Sequence, residues 1–98
     1  MLRDFLRNLL EIGWSEYSIS LVGASEPLED EVERYAKRWI DHHQEKGIRL
    51  CEAERFSLGN SCLRLRIRSR DKDNQQDALM CQLQERFPEL EFKFNKRF

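Results

Sequence analysis

Residues 63–70 read Leu-Arg-Leu-Arg-Ile-Arg-Ser-Arg, a strict alternation of apolar and cationic side chains broken only by Ser69. A period of two belongs to an extended strand, because successive side chains of a strand point to opposite faces. One face then carries Leu63, Leu65 and Ile67, and the other carries Arg64, Arg66 and Arg68 about 6.5–7 Å apart. On a helix these arginines would scatter around the axis. The chain must therefore build a sheet with one buried face and one wet, cationic face.

The flanking segments say what covers the buried face. Leu28, Val32, Tyr35, Ala36, Trp39, Ile40 and His43 recur at helical spacing. Ser25 is placed to N-cap this helix, Pro27 suits its first turn, four carboxylates complement its positive end, and Gly47 closes it. Leu79, Met80, Leu83 and Phe87 form a second helical stripe, opened by an Asp73-x-x-Gln76 capping box and ended by Pro88. Tyr17, Ile19 and Leu21 alternate in a strand that ends at Gly23, and Leu90, Phe92 and Phe94 alternate in a last one. Ser57-Leu58-Gly59-Asn60 reads as the turn of a hairpin between strands 48–56 and 62–69. Its register puts Arg49 opposite Arg68 and Arg55 opposite Cys62.

With an N-terminal helix over residues 1–13 set aside, the order is βαββαβ, that of the ferredoxin-like fold. Residues 1–98 then form a single α+β domain, with residues 14–98 as a four-stranded antiparallel sheet under two helices and its first and third strands central. Strand 48–56 conflicts with this pattern, because keeping Ile48 and Leu50 inward also turns Glu52 and Glu54 inward. A bulge near Cys51 or an edge position resolves the conflict.

The search for catalytic chemistry is negative. There is no Gly-rich phosphate loop, Cys-x-x-Cys pair, His-Glu-x-x-His motif or nucleophile elbow. His42 and His43 are adjacent on a helix and diverge by about 100°, so no shared metal is expected. Neither a metal nor a cofactor is predicted, and the chain is expected not to be an enzyme. The sequence lacks an export signal and an apolar stretch near the ~18 residues of a membrane span. A cytoplasmic protein is expected, with Cys51, Cys62 and Cys81 as reduced, semi-buried thiols. Two chemistries that share the topology are disfavoured. The first strand ends at Val22-Gly23 without an acidic residue for a nuclease metal, and Ser18 and Ser20 stand where the RNA-recognition motif presents stacking aromatics.

What remains is binding. Net charge is −1, but residues 1–47 hold six Lys/Arg against ten Asp/Glu and residues 48–98 hold eleven against eight. Arg49, Arg64, Arg66, Arg68 and Lys93 gather the positive charge on the open face and are the expected partner-binding residues. Like charges at Arg49 and Arg68 call for an anion nearby: Glu91 or another carboxylate of the same sheet, an acidic partner protein, or a nucleic-acid backbone. The first helix displays Leu2, Phe5, Leu6 and Leu9 on one face, an apolar stripe that must dock on the core, a second copy or a partner. The sequence thus predicts a small regulatory or adaptor domain working by protein–protein contact, as a dimer or with another protein. The alternative is a nucleic-acid-binding module that contacts phosphates along the arginine strand.

Overall fold

The computed structural model describes residues 13–97. The stripe of Leu2, Phe5, Leu6 and Leu9 lies outside the described residues. The elements run β1 (Trp14–Val22), α1 (Glu26–His43), a 3₁₀ turn (Gln44–Lys46), β2 (Ile48–Leu58), β3 (Asn60–Arg70), α2 (Gln75–Arg86) and β4 (Phe92–Arg97). The strands form one antiparallel sheet in the order β2-β3-β1-β4, so the first and third strands are central. Both helices pack on the face bearing Tyr17, Ile19, Leu21, Leu63, Leu65 and Ile67, and Val32, Ala36, Ile40, Leu79 and Leu83 meet them in the core. Tyr17 stacks on Phe94 across β1 and β4, with ring centroids 5.3 Å apart.

Local chemistry accounts for the element ends. Ser25 Oγ accepts from the Leu28 amide at 3.4 Å, Pro27 occupies the first turn of α1, and Gly47 takes the left-handed conformation (φ 90°) that closes the 3₁₀ turn. The expected capping box of α2 does not form. Asn74 is the N-cap residue, in a left-handed conformation without a side-chain cap bond. Asp73 is drawn 2.7 Å from Arg70 Nε, and Gln76 accepts a buried 2.7 Å hydrogen bond from Ser69. Burial of Ser69 in the core explains the exchange, because its hydroxyl needs a partner there. Leu90 lies in the turn before β4, where its amide donates to the Phe87 carbonyl, so Glu91 sits outside the sheet.

The conflict in β2 is resolved in both ways foreseen. The strand is at the edge, and its register against β3 shifts between Leu50 and Glu52. Before the shift Arg49 faces Arg68; beyond it Phe56, not Arg55, faces Cys62. The extra residue, Cys51, keeps Ile48 and Leu50 with the core while turning Glu52 and Glu54 to the open face. Arg55 is turned the other way, toward α1, where it reaches Asp30 at 2.7 Å and Glu33 at 3.2 Å. The three thiols are free; Cys62 is buried, whereas Cys51 and Cys81 are exposed rather than semi-buried.

Candidate functional site

The open face is a charge lattice laid out by strand register. One row reads Arg49, Arg68, Glu16; the next Glu52, Arg66, Ser18, Asn95; the next Glu54, Arg64, Ser20, Lys93. The five expected binding residues thus share one face, but they are not equivalent.

Arg66 is enclosed by carboxylates. Its Nη1 donates to Glu52 at 2.7 Å and to Glu54 at 3.2 Å, and its Nη2 lies 3.7 Å from Glu16. The hydrogen bond to Glu54 and the charges of Glu16 and Glu52 hold its guanidinium still more firmly protonated than usual. The Cys51 bulge makes this possible, since without it Glu52 and Glu54 would face the helices. Glutamates of the same sheet, one of the anion sources that the sequence reading allowed, stand among the arginines, with Glu16 opposite Arg68 and the trio around Arg66, whereas Glu91 lies outside the sheet.

At one end of the face Arg49 lies over the Trp14 ring, 5.3 Å from its centroid, and Arg70 flanks the same ring at 5.9 Å. Trp14 escaped the sequence reading because it precedes the alternating Tyr17-Ile19-Leu21 triplet. Extending that alternation backward through Ser15 puts Trp14 on the open face. Arg70 is itself engaged, by Asp73 and by the Glu45 carbonyl at 3.2 Å. At the other end Arg64 lies over Phe56, 4.8 Å from the ring centroid. Here Ser18, Ser20, Arg64 and Asn95 line a depression of about 280 Å³. Among the described residues no carboxylate is within ion-pair reach of Arg64 or of Lys93, which stands beside Ser20.

The helical face carries a smaller cleft of about 190 Å³ between α1 and α2, lined by Glu31, Arg34, Tyr35, Arg38, Arg86 and Phe87. Among the described residues no three His, Cys, Asp or Glu side chains are grouped to hold a metal ion. His42 is exposed, while His43 stacks on Trp39 and places Nδ1 2.7 Å from the Trp39 carbonyl. No helix of the described residues is long and apolar enough to cross a membrane.

No protein-family profile matches the chain, and no curated protein does. Solved structures do resemble it. The de novo designed protein Foldit4 aligns at TM-score 0.59 and 15% identity over 87% of this chain and 97% of its own. The 30S ribosomal protein S6 from Thermotoga maritima aligns at 0.60 and 14% over 87% and 89%. The designed ferredoxin-fold protein LFR1 1 aligns at 0.52 and 12% over 87% and 85%. At these identities the likeness establishes the fold alone, a small ferredoxin-like α+β domain.

Proposed function

We propose that this chain is a non-catalytic binding domain that docks a protein partner on its open sheet face, in a regulatory or adaptor role. The observation that carries the reading is the enclosure of Arg66 by Glu16, Glu52 and Glu54. A nucleic-acid backbone would need consecutive cations along β3, yet the middle one is neutralised and the carboxylates around it repel phosphates. A mixed pattern of fixed charges instead suits a protein surface of complementary pattern, where such charges set orientation and reject wrong partners. Trp14 and Phe56, held under arginines at opposite ends of the face, supply the aromatic anchors that protein interfaces favour.

Fluorescence anisotropy with two probes tests this reading. One is a labelled acidic peptide with interspersed lysines, the other a labelled single-stranded oligonucleotide. Saturable peptide binding that is lost in Arg64→Glu is expected, with little oligonucleotide binding. Oligonucleotide binding whose log affinity falls with log salt at a slope near three or more, about one per phosphate, would overturn it in favour of nucleic acid.

A further inference from the structure

We infer that the depression between β1, β3 and β4 is a binding site for a phosphate monoester. The inference rests on the open face being the binding surface and names the chemistry that one part of it accepts. Ser18 and Ser20 stand two residues apart on β1, so their side chains leave the same face. Register then brings Arg64 of β3 to one side of them and Asn95 of β4 to the other. Every side chain lining the depression can donate a hydrogen bond, and none is a carboxylate.

These donors are not spent inside the protein. Among the described residues the side chains of Ser18, Ser20 and Asn95 have no hydrogen-bond partner, and Arg64 lies over the Phe56 ring without a hydrogen bond or ion pair. Ser18 is only 6% exposed as a residue, and its hydroxyl has no hydrogen-bond partner among the described residues. Glu54 is opposite Arg64 in register, but its carboxylate turns to Arg66, so among the described residues no carboxylate holds the Arg64 guanidinium.

Donors arriving from three strands suit a tetrahedral group, whose oxygens point in three directions, better than a planar carboxylate. Arg64 can take two of those oxygens with its fork, the serine hydroxyls and the Asn95 amide can take the remainder, and Lys93 adds the second positive charge that a dianion requires. The Arg64 guanidinium rests on the Phe56 ring of β2 with no ion pair among the described residues to break, so it can swing toward the ligand without giving up a carboxylate. A phosphorylated side chain of a partner and a free small phosphate share this chemistry.

The test is a two-dimensional amide NMR titration of the full chain with sodium phosphate, repeated with acetate and chloride at matched ionic strength. Phosphate is expected to cause saturable shifts at Ser18, Ser20, Arg64, Lys93 and Asn95, with weaker or no saturation by the other anions. Arg64→Gln should weaken the site about tenfold or more, whereas Lys37→Gln, on exposed α1 surface, should leave it unchanged. Ser20→Ala should also weaken it and serves if Arg64→Gln loses its spectral dispersion. Shifts that do not saturate, that chloride or acetate reproduces, or that survive both site substitutions would overturn the inference. A phosphoserine peptide binding more tightly than its unphosphorylated form would identify the source as a modified side chain; inorganic phosphate binding as tightly as the peptide would identify a small ligand. Failure here with intact docking of the acidic peptide removes only this subsite. Phosphate binding without peptide docking removes the adaptor reading and leaves the subsite standing.

Discussion

Arg55 Nη1 lies 2.7 Å from Asp30 Oδ1 on the helical layer, while Glu54, its neighbour in sequence, bonds Arg66 on the opposite side of the sheet. Both contacts depend on the single extra residue at Cys51. Were Cys51 instead paired in regular alternation, every side chain from Glu52 to the hairpin would change sides.

Deletion of Cys51 makes Leu50 and Glu52 consecutive, and regular alternation then gives them the same faces that the bulge gives them now. The deletion is therefore expected to keep the fold and to stay within about 2 kcal/mol of the parent, and Cys51→Ala within about 1 kcal/mol. Urea denaturation followed by circular dichroism provides the check. Loss of the folded state in the deletion variant would contradict this pairing.

Arg66→Gln removes the cation that Glu16, Glu52 and Glu54 share. The loss in melting temperature should be larger in dilute buffer than in about 1 M salt, since screening weakens the lost attraction. Thermal melts of both proteins at the two salt concentrations provide the check, and a salt-independent loss would mean that Arg66 matters by packing and not by charge.

Glu33 is held below the ordinary carboxyl range, first by its hydrogen bond from Lys37 and then by Arg55, against the opposing effect of burial. A carboxyl lowered in the folded state adds stability that is present above its unfolded value, near 4.5, and is lost as pH falls through the folded one. Glu33→Gln should accordingly cost about 0.5 kcal/mol at pH 7, a value discounted for solvent screening. The difference should close below about pH 4. A difference that persists in acid would contradict this account.

Gly47 has φ 90°, and a Cβ there would meet Arg70 Nε and stand 2.7 Å from Asp73 Oδ2. Gly47→Ala should cost about 1–3 kcal/mol through backbone strain and displacement of the Arg70–Asp73 pair. Gly23→Ala carries the positive φ without any crowding, so it should cost less. Chemical denaturation of the two variants tests this order, and a reversed order would remove the crowding argument.

Burial pushes the Cys51 thiol up, and the nearby Glu16 carboxylate adds to the shift. Although solvent reaches this residue, its thiolate is disfavoured at neutral pH. Iodoacetamide at pH 7 should modify Cys51 more slowly than an unstructured cysteine peptide, as followed by mass spectrometry of digests. Modification as fast as the peptide would show that the bulge does not shield it.

The order of elements was legible because Val32-Ala36-Ile40, Leu79-Leu83 and Leu63-Leu65-Ile67 keep clean periods, and those periods report burial directly. The charge lattice was only half legible. Phe56 opposite Cys62 follows once the turn is centred on Gly59 alone, but Arg49 opposite Arg68 also requires the residue skipped at Cys51; a turn centred between Leu58 and Gly59 with no skip reaches the second pair only because the two offsets cancel. An apolar-to-acidic reversal at Leu50-Cys51-Glu52 hints at the skip without fixing where it falls. The α2 cap was misread for another reason: Asp73 and Gln76 have the right spacing, but Arg70 and Ser69 are stronger claimants brought in by the tertiary fold. Ser18 and Ser20 drew notice only for lacking aromatic rings; their convergence with Asn95 depends on the pairing of β1 with β4, which local pattern does not encode.

The irregularity in β2 also bears on how copies of this chain can meet. A sheet ending in a long straight strand offers its outer N–H and C=O groups as a template, and extension through that edge is a common route to fibrils. In β2 the template is interrupted at Cys51, and the charged side chains of Glu52, Glu54 and Arg55 follow at once. An incoming strand would lose its register at the interruption and would have to set its own side chains beside fixed charges on both faces. Self-association by sheet extension along β2 is thereby disfavoured, which leaves the β4 edge and the broad faces as the surfaces through which the described domain can associate.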